Sequence, residues 1–261
     1  MLEFWVDGDM IAYEALLGAS EDIDWGDNIW TLHVDKNVAL ATFDAIVAKA
    51  IKEVERILDK TEIRTFICFT DSENNFRKDI DPTYKGNRKG RKKPVGFSFL
   101  IEALRKHYNV VMRKNLEADD CIGIGMTAPY VIHPTQDYKP IRVIISGDKD
   151  MNTIAGWFYN YDKEELVCNT KEEAYHYFLK QVLTGDSADG YGGCPSYGKV
   201  KAEKALKEEP TWKTVVKCYE EQGLTEEDAI RTARLAHILV DGDFDFAKKE
   251  VILWTPPESD G

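Results

Sequence analysis

The chain has 261 residues, enough for one large domain or two small ones, and its 43% hydrophobic and 31% charged content is that of an ordinary globular protein with a sizeable core. A net charge of −12 excludes nonspecific nucleic-acid binding by the whole surface, though not a local basic patch. Five scattered cysteines with no Cys-x-x-Cys pair speak against zinc fingers and a disulfide framework, the first residues lack the basic and apolar stretches of a signal peptide, and no apolar run approaches the ~18 residues of a membrane span, so a cytoplasmic protein is expected.

Residues 2–6 read as a short buried strand ending at Asp7-Gly8-Asp9, and Met10 to Leu17 as a helix. Residues 18–35 are acidic and Trp-rich without clear period, which predicts a loop excursion. Residues 37–59 keep the three-four spacing of an amphipathic helix through Phe43, Ile46, Val47, Ala50, Ile51, Val54, Ile57 and Leu58. A second strand covers 64–69 and ends at Thr70-Asp71. Residues 72–96 change character: six of the nine residues from Lys85 to Lys93 are basic. Helical period resumes at Phe97, and 109–112 make a third strand. Glu117-Ala118-Asp119-Asp120 then opens a helix. A fourth strand, 141–145, leads to Asp148-Lys149-Asp150, and 157–161 with 165–168 suggest an edge hairpin. Thr170 and Glu173 form a capping box for a helix to Leu183. After Gly185-Asp186-Ser187-Ala188-Asp189-Gly190, helices are expected at 199–206, 211–222 and 225–240, with a last strand at 251–254. Strand and helix alternate through residue 160, which predicts a mostly parallel α/β sheet with flanking helices. The expected division is an α/β core over 1–169, with a clamp at 72–96, and a helical region over 170–261.

Three strands thus end in aspartate: Asp7, Asp71 and Asp148. In an open α/β sheet the carboxyl ends of the strands line one rim, where sites form. The Glu117, Asp119, Asp120 cluster and Asp150 follow strands in the same way, and Asp186 and Asp189 are three apart, on one face or turn. Each motif alone has a bland explanation as a turn, loop or helix start, since acids favour the first helical turn. Together they form a set of repelling carboxylates with no His or Cys, suited to Mg²⁺ or Mn²⁺ rather than zinc, and numerous enough for two ions about 4 Å apart.

The basic run could be a solvated loop, but it follows a rim aspartate and contains Phe76 and Tyr84. Arg77, Lys89, Arg91, Lys92 and Lys93 are suited to releasing counterions from phosphates, and an aromatic to stacking on a frayed base. Lys199, Lys201 and Lys204, after a Gly-rich turn, suggest a helix-turn-helix unit gripping a duplex backbone.

The ordered series Val6-Asp7-Gly8, Phe76-Arg77, Tyr84-Lys85-Gly86-Asn87-Arg88, Glu117-Ala118-Asp119-Asp120, Ser146-Gly147-Asp148-Lys149-Asp150 and Gly185-Asp186 to Asp189-Gly190 resembles the flap endonuclease / 5′→3′ exonuclease superfamily. Phe69-Thr70-Asp71-Ser72, Lys92-Lys93-Pro94-Val95-Gly96 and Lys249 to Trp254 resemble its branch in short-tailed bacteriophages. The resemblance implies a PIN-like fold with an arch or clamp over 72–96 and a helix-two-turn-helix unit near 185–207. Asp7, Asp71, Glu117, Asp119 and Asp120 match one metal cluster; Asp148, Asp150, Asp186 and Asp189 match a second. Lys85 and Arg88 match residues that contact the scissile phosphate, and Tyr84 one that stacks on the terminal base. The family's helix-two-turn-helix unit can hold a potassium ion on main-chain carbonyls. The implied activity is metal-dependent hydrolysis from the 5′ ends of duplex DNA, extending to RNA of RNA–DNA hybrids and to 5′ flaps. It would belong to phage DNA replication or degradation, carried out by a monomer in the host cytoplasm with no membrane partner. Two rival readings are a haloacid-dehalogenase-type phosphatase, since Asp7-Gly8-Asp9 imitates its strand-ending Asp-x-Asp, and a catalytically silent DNA-structure-binding protein.

Overall fold

The computed structural model describes residues 1–71, 74–129 and 139–257; positions 72 and 73 of the expected clamp and 258–261 of the expected helical region lie outside the described residues. In chain order the elements are β1 (Leu2–Asp7), α1 (Gly8–Gly18), β2 (Ser20–Asp24), β3 (Trp30–Val34), α2 (Lys36–Leu58), β4 (Ile63–Phe69), α3 (Arg77–Ile80), α4 (Phe97–Leu104), β5 (Asn109–Met112) and α5 (Ala118–Thr127). They continue with β6 (Ile141–Ser146), β7 (Gly156–Asn160), β8 (Glu165–Asn169), α6 (Lys171–Thr184), β9 (Gly185–Asp186), β10 (Tyr191–Gly192), α7 (Lys199–Leu206), α8 (Trp212–Glu220), α9 (Glu226–Ala236), β11 (Phe244–Asp245) and β12 (Glu250–Val251).

The sheet runs β5-β4-β1-β6-β7-β8, parallel except for β8. Strand β1 sits in the middle and is buried on both faces. Its Leu2, Phe4 and Val6 face α1, α2 and α4, while Trp5 faces α5. Two covered faces are what a parallel sheet requires, and each fully buried Leu or Phe there contributes roughly 1.5–3 kcal/mol. A third apolar cluster joins α6, α7, α8 and α9 and takes in Tyr84 from the clamp. Because β1, β4 and β6 are parallel neighbours, the residues after them, Asp7, Asp71 and Asp148, leave the sheet at one rim.

Four expectations change. Residues 18–35 are not a loop: β2 and β3 pair antiparallel, Asp24 opposite Trp30, around a tip in which Gly26, Asp27 and Asn28 all have positive φ. Both ribbon faces are largely exposed, so no burial alternation marks it in the sequence. The last long helix stops at Ala236 rather than Val240, because the Leu235 and His237 carbonyls turn to accept bonds from Arg77 and the Leu239 N–H turns to Asp120. The strand expected at 251–254 shrinks to Glu250–Val251, as Trp254 is drawn onto Trp212 and Phe178. Among its described residues the clamp holds only the four-residue α3 and one 3-10 turn at Gly86–Arg88.

The 185–207 region holds the antiparallel pair β9 and β10, a turn and the single helix α7, and α6 ends just before it at Thr184. Gly185 at φ 65° has its Cβ position 2.3 Å from the Gly193 nitrogen, so no side chain fits where the first turn crosses itself.

Candidate metal centre and nucleic-acid interface

Asp7 ends β1 and caps α1. Its Oδ1 accepts from the Met10 N–H at 3.2 Å, and its Oδ2 from the Ser146 hydroxyl at 2.9 Å. Burial, and then the charge of Asp9, push its pKa up to about 7. Asp9 lies in the first turn of α1 and accepts from the Thr70 N–H at 3.0 Å through Oδ2, while Oδ1 is buried without a partner. Its pKa too is raised by burial, with Glu117 adding to the rise. A Cβ on Gly8 would sit 2.7 Å from the Cys68 carbonyl, so α1 starts flush against β4.

Glu117 caps α5 in a reciprocal box with Asp120. It receives the Tyr84 hydroxyl at 3.0 Å and the Lys85 ammonium. Asp119, half-buried in the next turn, is raised well above the usual carboxylate range by burial and by the charges of Asp7 and Asp148. Asp148 follows β6 and accepts from the Asp150 N–H at 2.9 Å. Asp150 is raised by burial and by Asp148. The Lys149 ammonium spans Asp150 at 2.8 Å and Asp186 at 3.1 Å. Despite partial burial, that lysine and the Ala188 N–H hold Asp186 below the usual range. Asp189 receives Arg88 at 2.8 Å and the Tyr84 hydroxyl at 3.0 Å, with Lys85 at 3.6 Å. Burial and Glu117 nonetheless leave it raised.

Two groups of acids thus converge on one rim: Asp7, Asp9, Glu117, Asp119 and Asp148, then Asp150, Asp186 and Asp189. Among the described residues no three His, Cys, Asp or Glu side chains are already set as a metal cage. The reason is visible in the contacts: Lys85 lies between Glu117 and Asp189, and Lys149 between Asp150 and Asp186. The residues fit hard divalent cations. All the donors are carboxylate oxygens, the Asp9 Oδ1 is buried and unpartnered, Asp7 is raised by burial and by the charges of Asp9 and Asp148, and Asp119 by burial and by the charges of Asp7 and Asp148.

The model of the 5′-3′ exonuclease N-terminal, resolvase-like domain matches residues 33–177, more than half of the chain. The chain belongs to the 5′-3′ exonuclease family. It is 29% identical to the exodeoxyribonuclease of Enterobacteria phage T3, covering 96% of this chain and 92% of that one, and equally identical to the exonuclease of Escherichia phage T7 over the same shares. In fold it is similar to the T5 D15 protein co-crystallised with metal ions, with TM-score 0.62, 14% identity, and 90% and 89% of the two chains covered. A structure of T5 5′-exonuclease with bound zinc matches at TM-score 0.61 and 15% identity, covering 90% and 88%. The PIN-like fold and a 5′–3′ nuclease activity follow, and the phosphatase reading falls.

For this exonuclease, several residue assignments need correction. Asp120 is fully buried and has no oxygen left for a metal: Oδ1 takes Arg77 at 2.8 Å and the Leu239 N–H at 3.2 Å, and Oδ2 takes Arg77 at 2.9 Å and the Glu117 N–H at 3.0 Å. Arg77 itself is only 2% exposed, and it also donates to the Leu235 and His237 carbonyls, so it cannot reach a nucleic acid. Tyr84 is 2% exposed, stacked on Tyr191 at 6.3 Å with its hydroxyl on Glu117 and Asp189, so its ring offers no face to a base. Asp71 needs no such correction: its Oδ2 receives the Asn115 N–H at 2.9 Å, as Asp7 and Asp148 each receive one backbone N–H, and its own N–H goes to the Leu116 carbonyl, fastening the turn before α5.

The remaining basic residues lie open. Arg88, Lys89, Arg91, Lys92 and Lys93 are exposed along the clamp, Lys93 resting on the Phe97 ring at 4.3 Å. Lys199, Lys201 and Lys204 line the outer face of α7, opposite the buried Ala202 and Leu206.

Sequence reasoning missed Asp9, Ser146, Lys149 and Tyr13 as residues of the site. Asp9 was legible as the second acid of Asp7-Gly8-Asp9, at the start of the helix that follows a strand-ending Asp. Tyr13, two turns into α1, is part-exposed, packs edge-on against Phe97 at 5.6 Å and feels the charges of Asp9 and Arg88.

Proposed function

We propose that the chain hydrolyses phosphodiesters from the 5′ ends of duplex DNA, including RNA–DNA hybrids and 5′ flaps, using two Mg²⁺ ions for which Mn²⁺ can substitute. The observation that carries this reading is the convergence of Asp7, Asp9, Glu117, Asp119 and Asp148 beside a lysine-rich clamp. Asp7, Asp9, Asp71, Glu117, Asp119 and Asp148 would hold one ion and Asp150, Asp186 and Asp189 the other. Bound there, the ions would lower the pKa of water and polarise the phosphate.

The chain's own residues supply the rest. Ser146 holds the Asp7 carboxylate in line through its hydroxyl. Lys85 and Arg88, now paired with Glu117 and Asp189, sit where they can turn to a phosphate once those acids are otherwise neutralised, and they would offset charge developing on it. Tyr13 takes the stacking role first given to Tyr84, because its ring is open beside Arg88. Lys89, Arg91, Lys92 and Lys93 hold the frayed strand, while Lys199, Lys201 and Lys204 grip the duplex backbone. The main-chain carbonyls of the turns around Gly185 would carry a potassium ion. The α/β core, 1–169, supplies most of the metal-binding acids, and the helical region, 170–261, adds Asp186 and Asp189 and positions the duplex.

The test is a gel of end-labelled blunt, nicked and flapped duplexes with Mg²⁺. Short 5′-phosphorylated products that vanish in chelator and in the Asp119→Asn, Asp150→Asn double variant are expected. Full nuclease activity in that variant would refute the reading, and undiminished DNA binding with no cleavage in Mg²⁺ or Mn²⁺ would revive the silent-binder alternative.

A further inference from the structure

The β2–β3 ribbon is the one large feature that the nuclease reading leaves unused. Trp25, Ile29 and Trp30 at its tip are 66%, 61% and 63% exposed, a concentration of apolar surface that marks an interaction site. The tip is held in shape. Trp25 N–H donates to the Ile29 carbonyl at 2.8 Å, Ile29 N–H to the Gly26 carbonyl at 2.8 Å, and the Trp25 indole to the Thr31 hydroxyl at 3.0 Å. On one face of the ribbon, cross-strand pairing sets Asp22 beside Leu32 and Asp24 beside Trp30. Residues 20–35 contain five carboxylates and no lysine or arginine. Glu21, Asp22, Asp24 and Asp27 form no ion pair among the described residues.

Carboxylates alternating with indoles present the same chemistry as a nucleic-acid strand: spaced negative charge and flat rings. Such a ribbon repels phosphates, so it is not itself a DNA contact. It complements a basic surface with some apolar character, and this chain carries one. Lys89, Arg91 and Lys92 on the clamp are exposed and form no ion pair among the described residues, and the neighbouring Val95 is 52% exposed.

We infer that the acidic aromatic ribbon of one copy docks on the basic clamp of a second copy, forming a dimer that competes with DNA. The ribbon and the clamp are neighbours in the chain's own surface: a Cβ on Gly96, at the clamp's end, would lie 3.8 Å from Val34, at the ribbon's base. A two-fold axis beside that junction pairs ribbon with clamp twice, in a closed, self-complementary interface rather than an open chain of copies. A contact made of opposite charges around a few indoles fits a weak and salt-sensitive dimer. Occupying the clamp this way keeps it from DNA until a substrate displaces the ribbon.

The inference goes beyond the nuclease reading, and its test has an arm that does not use DNA. Sedimentation of the full chain from about 1 to about 100 µM at about 50 mM salt should show mass doubling with a dissociation constant on the order of 10 µM, lost at high salt. Trp25→Ser with Trp30→Ser should weaken the dimer at least about tenfold. A chain with Glu21→Lys and Asp22→Lys, and another with Lys89→Glu and Lys92→Glu, should each stay monomeric alone and associate when mixed. A short duplex added in chelator should return the wild-type dimer to monomer. The inference is overturned if the wild type stays monomeric throughout, if the tryptophan variant associates as tightly, if the mixed swapped chains do not pair, or if duplex leaves the dimer intact.

Discussion

Replacing Asp120 by Asn separates two roles that its position allows. In the structure its oxygens serve the Arg77 guanidinium at 2.8 and 2.9 Å and the N–H groups of Glu117 and Leu239. The guanidinium beside it holds its carboxyl below the usual range even though it is fully buried. The substitution would leave Arg77 buried against two carbonyls, with Glu117 at 3.4 Å as its remaining charge partner. Breaking one side of a buried ion pair costs about 3–5 kcal/mol, and Tm moves by about 2–4 °C per kcal/mol in a chain of this size, so a fall of roughly 6–20 °C is expected. Thermal unfolding in chelator measures it. Asp119→Asn is the control of opposite sign: it removes a carboxylate repelled by Asp7 and Asp148, so Tm in chelator should hold or rise while the rise on adding Mg²⁺ is lost. If Asp120→Asn instead leaves Tm in chelator unchanged and abolishes the Mg²⁺-dependent rise, Asp120 is a metal ligand and its assignment to Arg77 is wrong.

Three further outcomes are expected. Asp7 binds a proton in the folded chain up to about pH 7 but only to about 4 when unfolded, so stability in chelator should fall as pH rises between those values, by at most about 4 kcal/mol, and Mg²⁺ should restore it above pH 7; urea midpoints across that range read this directly. Asp9→Asn should lower Mg²⁺ affinity in calorimetry as much as Asp7→Asn does, whereas unchanged affinity would show that the buried Oδ1 faces no cation. Lys89→Ala with Lys92→Ala should weaken duplex binding across all sequences and reduce the salt slope by about 2, measured by fluorescence anisotropy in chelator.

The sheet, the long α2 and the capped α6 were legible because burial leaves a pattern: a short, mostly apolar run for β1, covered on both faces, and a spacing of three and four for Phe43 to Val54. The carboxylate rim was legible because strand ends in a parallel sheet share a side. What sequence could not show is which polar groups pair in the interior. Arg77 looks like one more clamp cation until its partners at positions 120, 235 and 237, far off in sequence, are known. The early end of α9 has the same origin, since carbonyls that bond a guanidinium are lost to the helix. The β2–β3 ribbon was illegible for another reason: neither face is covered, so its residues obey no burial pattern.

The clamp is rooted in the helical region as well as in the α/β core, where Arg77 and Lys85 meet Asp120 and Glu117. Lys85 N–H donates to the Asp189 carbonyl at 2.7 Å, the Asn87 amide to the Ser187 and Ala188 carbonyls at 3.1 Å, and Tyr84 is sunk in the core of α6 to α9. Jaw and handle are therefore tied together: Lys85, Asn87 and Arg88 are bonded to the turn at 187–189. If the helical region seats a duplex, as proposed, the gripped backbone and these two cations stand at a set spacing, and that spacing would act as a ruler for the place of the cut.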